Sequence, residues 1–305
     1  MKLKKHHITF IFLVMWCFCY AQNYTQITVN DGLPSNLVYK LTQDYKGFIW
    51  FATDKGLVKY NGNTFKTFST QNGLAANDIW NILPTKDNKL WFLSKTSALG
   101  YIKNDSIYSF KSEVEGEIFN PIYTSYLDNE VILTSSLKSY GLVNNQWKVL
   151  LENKPRSVRS LLYVKHRNIK NIEMFDRSDS LIVHTKGNTA KSFNIPTISG
   201  FHKRGQITDS LYFWTDHTAY HILNLNSQKL SSKTFIDQVN KPKVEFSRIN
   251  LINNQLQITG KGFVGVLDDD FNIIDPFYFP EELEAHFGLI DRLGSVWLST
   301  FNRGV

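Results

Sequence analysis

His217 and His221, four residues apart, are the first candidates for chemistry, since two imidazoles on one face can hold a divalent metal. They lie in strand-like sequence with no Glu between them, and both cysteines of the chain, Cys17 and Cys19, are near its start, so no metal site is expected. Asp268-Asp269-Asp270 offers carboxylates but lacks the alternating Asp and Gly of a calcium loop, and between Val264-Gly265-Val266-Leu267 and Ile273-Ile274 it reads as a hairpin tip. Gly260-Lys261-Gly262 lacks the spacing of a phosphate loop and reads as a turn. Asp44 and Asp291 could serve as acid and base, and Trp50, Trp91 and Trp297 could stack on sugars. These residues recur at regular spacing, however, and a catalytic pair is needed only once. They read as turn formers and core, and neither a catalytic residue nor a cofactor is expected.

The elements that carry them follow from local physics. Asp44-Tyr45-Lys46-Gly47 has the composition of a tight turn, with Asp able to accept from the following backbone and Gly47 free to take positive φ. Phe48 to Thr53 then reads as a strand apolar on both faces, which must be covered on both sides. An apolar residue followed three positions later by Ser or Thr recurs as Trp50/Thr53, Trp91/Ser94, Ile132/Ser135, Ile182/Thr185, Tyr212/Thr215, Leu256/Thr259 and Trp297/Thr300. The spacings are 41, 41, 50, 30, 44 and 41, with a mean of about 41. Gly32-Leu33, Trp50 and Tyr60 match Gly73-Leu74, Trp91 and Tyr101 at an offset of 41, and Asp291, Gly294 and Trp297 repeat the spacing of Asp44, Gly47 and Trp50. A repeat near 40 residues, rich in β-branched and aromatic residues, predicts a β-propeller blade of about four strands. The expectation is an all-β, seven-bladed propeller over residues 22–305.

Residues 1–21 are set apart as a secretory signal peptide: Lys2, Lys4 and Lys5, the apolar stretch of thirteen residues from Ile8 to Tyr20, then a small-residue cleavage signal ending at Ala21. Thirteen residues fall short of the roughly 20 that a spanning helix needs. The remainder would contain no cysteine and depend on burial rather than disulfides. Its formal charge drops from +7 to about +4, spread along the chain, which points away from nucleic acid.

The stretch DGLPSNLVYKLTQDYKGFIWFATDKGLVKYNG, residues 31 to 62, resembles the two-component regulator propeller repeat, in which a GLPSN-like turn precedes a D-x-x-G-x-x-W-x-x-T-x-x-G-L strand pair. IDRLGSVWLSTFNRGV, residues 290 to 305, resembles another copy. The resemblance implies the periplasmic sensor region of a propeller-containing histidine kinase, whose membrane-anchored kinase part is missing from this sequence, and a small-molecule or glycan-fragment ligand. The last blade is expected to lack strands at its C-terminal end and to be completed by Tyr24 to Val29, which precedes Asp31-Gly32-Leu33 as Phe65 to Ser69 precedes Asn72-Gly73-Leu74.

In such a fold the loop entering each innermost strand opens on the central channel, so Ser35, Asn36, Asn77 and Asp78 are the expected ligand-binding residues. Asp44, Gly47, Trp50, Thr53, Trp91, Asp291, Gly294, Trp297 and Thr300 are assigned to the structural repeat. The alternative function is a secreted propeller hydrolase or lyase acting on polysaccharide. That reading requires carboxylates or histidines converging at the channel mouth.

Overall fold

The computed structural model describes residues 24–121, 123–127, 130–135, 138–152, 162–165, 172–176, 180–185, 191–195, 204–208 and 210–305. The expected signal peptide lies outside the described residues. The first sheet is an antiparallel meander of β1 (Val38–Gln43), β2 (Ile49–Thr53), β3 (Gly56–Tyr60) and β4 (Phe65–Phe68). The same order recurs in β5 (Asn81–Pro84), β6 (Leu90–Leu93), β7 (Ala98–Lys103) and β8 (Ser106–Lys111), then in β9 (Tyr123–Leu127), β10 (Glu130–Thr134), β11 (Lys138–Val143) and β12 (Gln146–Glu152). It continues in β13 (Leu162–Lys165), β14 (Ile172–Asp176), β15 (Ser180–Thr185) and β16 (Lys191–Asn194), and in β17 (Arg204–Thr208), β18 (Leu211–Thr215), β19 (Ala219–Asn224) and β20 (Lys229–Thr234). A short helix, α1 (Phe235–Val239), precedes β21 (Ser247–Ile252), β22 (Gln255–Gly260), β23 (Phe263–Leu267) and β24 (Ile273–Tyr278), and a two-stranded sheet of β25 (Phe287–Ile290) and β26 (Val296–Ser299) follows.

The second strands are buried as their sequence demands. Every residue of β2 and of β6 is buried, because each sheet is packed on both faces. One core cluster joins Trp50, Leu74, Trp91, Phe119 and Trp147 across the first three sheets. Another brings Ile27, Leu33 and Val38 together with Ile252, Phe287 and Leu289, so the two ends of the chain share a core.

The ends also pair directly. Ile27 N–H donates to Val305 O at 2.7 Å and Val305 N–H donates back to Ile27 O at 3.0 Å, the reciprocal bonding of an antiparallel pair. The local geometry copies the first sheet. A Cβ on Gly56 would lie 2.2 Å from Phe68 O, and one on Gly304 would lie 2.1 Å from Ile27 O, so Ile27 stands where an outer strand stands elsewhere. Thr28 and Ser69 each cap a one-turn helix that ends at a left-handed glycine, Gly32 or Gly73.

Two expectations require correction. Ile182 and Thr185 lie in the third strand of their sheet, β15, whereas the equivalent pairs occupy second strands or the residue just beyond; the second strand here is β14. A regular offset of 41 from Ile132 falls at Glu173, inside β14. The expected count of seven blades around a channel also fails at the wall. Among the described residues, five innermost strands line it, β1, β5, β9, β17 and β21, and β17 lies directly against both β9 and β21. Phe287 and Leu289 of β25 are fully buried in core, and His286 before β25 and Phe301 after β26 are the residues of this part that reach the wall.

Candidate functional site

The innermost strands surround a cavity of about 1020 Å³. Among the described residues of its wall, Lys40, Lys86, Arg204, Arg248 and His286 carry basic side chains, and there is no Asp or Glu. Lys40 Nζ donates to Asn81 Oδ1 at 2.7 Å, a neutral acceptor. It sits 5.8 Å from the centroid of the Phe287 ring, and the Arg248 guanidinium carbon sits 5.8 Å from the same centroid. Arg248 also packs 5.0 Å from the Phe246 ring, while its Nε is buried with no hydrogen-bond partner. Burial, reinforced by the neighbouring Arg248 charge, lowers the Lys40 ammonium to about 7. Burial likewise lowers Arg248 to about 10.

His286 donates from Nε2 to the Tyr39 carbonyl at 3.1 Å, which leaves Nδ1 as a bare, buried nitrogen without a partner. Burial and the Arg248 charge push this imidazole down to about 4. Phe301, exposed at the wall, stacks on the His286 ring with centroids 3.8 Å apart. Tyr39 is raised to about 12 by burial and by its hydrogen bond with Asp78. The far end of β1 is tied rather than open: Gln43 Oε1 accepts from Asn253 Nδ2 and from Arg292 N, and Arg292 Nη1 donates to Tyr45 O at 2.9 Å.

The expected binding residues divide. Asn36 Oδ1 accepts from Val29 N at 2.9 Å and Asn77 Oδ1 from Thr70 N at 2.7 Å, the same bond one repeat apart. Ser35 Oγ accepts from Leu37 N. These three oxygens hold the loops, and the residues are not on the described cavity wall. Asp78 meets the cavity through its bond to Tyr39.

The repeat residues form a common turn. Asp44 Oδ1 accepts from Lys46 N and Phe48 N, and its Oδ2 accepts from Trp50 Nε1 at 2.8 Å. Asp291 accepts in the same way from Leu293 N, Ser295 N and Trp297 Nε1. Gly47 and Gly294 take positive φ in these turns, 93° and 83°. Thr53 and Thr300 donate to the carbonyls of Gly56 and Gly304. Trp91 differs: Thr85 stands where Asp44 stands, and the buried Trp91 Nε1 has no partner. Of the histidine pair, His221 faces Asp216 and Ser232 while His217 faces Val244 O.

Sequence reasoning missed Lys40, Arg248 and His286. For Lys40 a signal existed, since it precedes Trp50 by the same ten residues by which its partner Asn81 precedes Trp91.

These sheets around a central channel make the chain an all-β propeller. Within it, residues 32–55 match the family model described as two component regulator propeller, so the chain carries this repeat where the Asp44 turn is built. No curated protein matches the sequence. Among solved structures, the chain is similar to the extracellular domain of a putative hybrid two component system from B. thetaiotaomicron, at 15% identity and a TM-score of 0.62, covering 92% of this chain and 41% of that one. It is also similar to virginiamycin B lyase from Staphylococcus aureus, at 15% identity and a TM-score of 0.59, covering 88% of this chain and 94% of that one. A third similar structure is PorZ, a surface component of the type-IX secretion system of Porphyromonas gingivalis, at 10% identity and a TM-score of 0.56, covering 80% of this chain and 33% of that one. The chain thus spans well under half of the first and third of these. At such identities the likeness bears on the fold.

Proposed function

We propose that this chain is a ligand-sensing propeller domain, exported by residues 1–21 to the periplasm, whose occupied channel biases a membrane-anchored histidine kinase region. The observation that carries this reading is the two component regulator propeller match at residues 32–55. The channel supports it, because it is a concave site with a few polar groups directed inward, the usual form of a small-molecule pocket. The ligand is a small molecule or glycan fragment. Kinase autophosphorylation in membranes from cells carrying the natural protein, with and without a mixture of glycan oligosaccharides, tests it. A ligand-dependent change that disappears with Arg248→Gln is expected; the same output with and without the mixture, in wild type and variant alike, overturns it.

A second reading, a polysaccharide lyase, is favoured by one observation. A Lys40 amine lowered to about 7 lies on the channel wall and could accept a proton. A hydrolase gains no such support, because the described wall holds no carboxylate pair. Ultraviolet-absorbing unsaturated product formed from a uronate polysaccharide, and abolished by Lys40→Met, would establish the lyase; no product would remove it.

A further inference from the structure

Every described lysine that pairs with a carboxylate does so away from the channel. Lys59 and Lys66 share Asp105, Lys89 meets Asp87, Lys138 meets Glu117, Lys241 meets Glu281, and Lys261 meets Glu245 and, more distantly, Glu281. The channel reverses this pattern. Lys40 has one neutral acceptor, Arg248 leaves Nε unpartnered between two aromatic rings, and the described wall brings no acid near either. Two cations flanking one ring, half-buried and unpaired, cost the folded state solvation without returning Coulomb energy. A charge arrangement of this kind is offset when something negative enters. The cavity has room for a small ligand, and Tyr39 and the exposed, stacked Phe301 supply aromatic faces on its wall.

We infer that the channel is an anion site, in which Lys40 and Arg248 together bind the carboxylate or sulfate group of a small acidic ligand. The inference rests on the sensing reading for its biological use and names the chemical class of the ligand. Asn81 holds the Lys40 ammonium in place, and the Arg248 guanidinium on the wall has the planar fork that matches a carboxylate. A ligand anion would also favour the charged form of Lys40 and raise its pKa from about 7.

The test uses the whole chain, with D-glucuronate, sulfate and D-glucose as probes and chloride balancing ionic strength. Thermal unfolding and calorimetric titration are read for wild type, Lys40→Met and Arg248→Gln. Glucuronate is expected to raise the unfolding midpoint and bind at least tenfold more weakly to each variant, with glucose silent. A response to sulfate as well as glucuronate identifies the bare anionic group as sufficient, and a response to glucuronate alone requires the sugar ring. Responses to neither anion, or responses unchanged in both variants, overturn the inference. A glucose response that both variants abolish also overturns it, while leaving the channel as the ligand site of a sensor. Both variants remove an unpaired charge and are expected to fold, which circular dichroism checks directly.

Discussion

The blade turns and the channel wall treat polar groups in opposite ways. At Asp44 and Asp291 each carboxylate accepts two backbone N–H bonds and one indole N–H, so nothing is left over. On the wall, Arg248 Nε and His286 Nδ1 are buried without partners, and Lys40 has only an amide oxygen. The turns recur along the chain and close on themselves, whereas the wall groups occur once and lack partners of their own. In a repeat protein, a polar group that is both singular and unsatisfied is therefore a better guide to function than one that recurs.

Four measurements bear on this contrast. The largest effect is expected from Asp44→Ala, which strips three donors of their acceptor, one of them the indole of a nearly fully buried Trp50. Denaturant unfolding should show a loss of about 3 kcal/mol, and a loss near zero would mean that the turn is not held by its carboxylate. Next is acid sensitivity. The folded pKa of His286, about 4, lies below its ordinary 6.5, so the unfolded chain takes up the proton first and stability falls as pH drops from about 6.5 to 4. This single group accounts for roughly 3 kcal/mol, and in His286→Gln that part of the pH dependence should vanish.

Lys40→Met is expected to stabilise the free protein by about 1 to 2 kcal/mol at neutral pH. Its lowered pKa means that the wild-type penalty fades as pH rises from about 7 toward 10.5, so the gain from the substitution should shrink over the same window. Destabilisation by Lys40→Met would show that the ammonium is structural. The smallest effect concerns the one turn that breaks the pattern. Thr85→Asp supplies the missing acceptor for Trp91 Nε1 and should add about 1 kcal/mol, read as a rise in the unfolding midpoint.

The parts of the fold that could be read from the sequence are those whose turns are chemically demanding. Asp, Gly and Trp at fixed spacing marked the first and last sheets because carboxylate, positive φ and indole are all needed for one local structure. Between them the pattern relaxed to an aliphatic residue and a nearby hydroxyl, which many strands contain. Ile182 and Thr185 were accordingly placed one strand too early in the repeat, and the unequal spacings of 50 and 30 were the trace of that slip. The candidate site was harder still. Ser35, Asn36 and Asn77 looked like a pocket rim because they are polar loop residues, yet their oxygens cap neighbouring backbone. Lys40 and Arg248 are separated by most of the chain, and only the packing of β1 near β21 and β25 puts them over one ring. No local pattern announces a convergence of that range.

The pairing of Ile27 with Val305 has a consequence in time as well as in space. Gln26 and Arg303, whose contact flanks that joint, are 277 positions apart, so the joint cannot form until β26 and the residues after it have been synthesised. Contacts of such separation are entropically the slowest to make. Until then the Ile27 segment lacks its partner strand, and an unpaired edge can recruit a second chain. The rate at which this long-range joint forms, more than the stability of any blade, would then decide how much of the protein reaches its closed form.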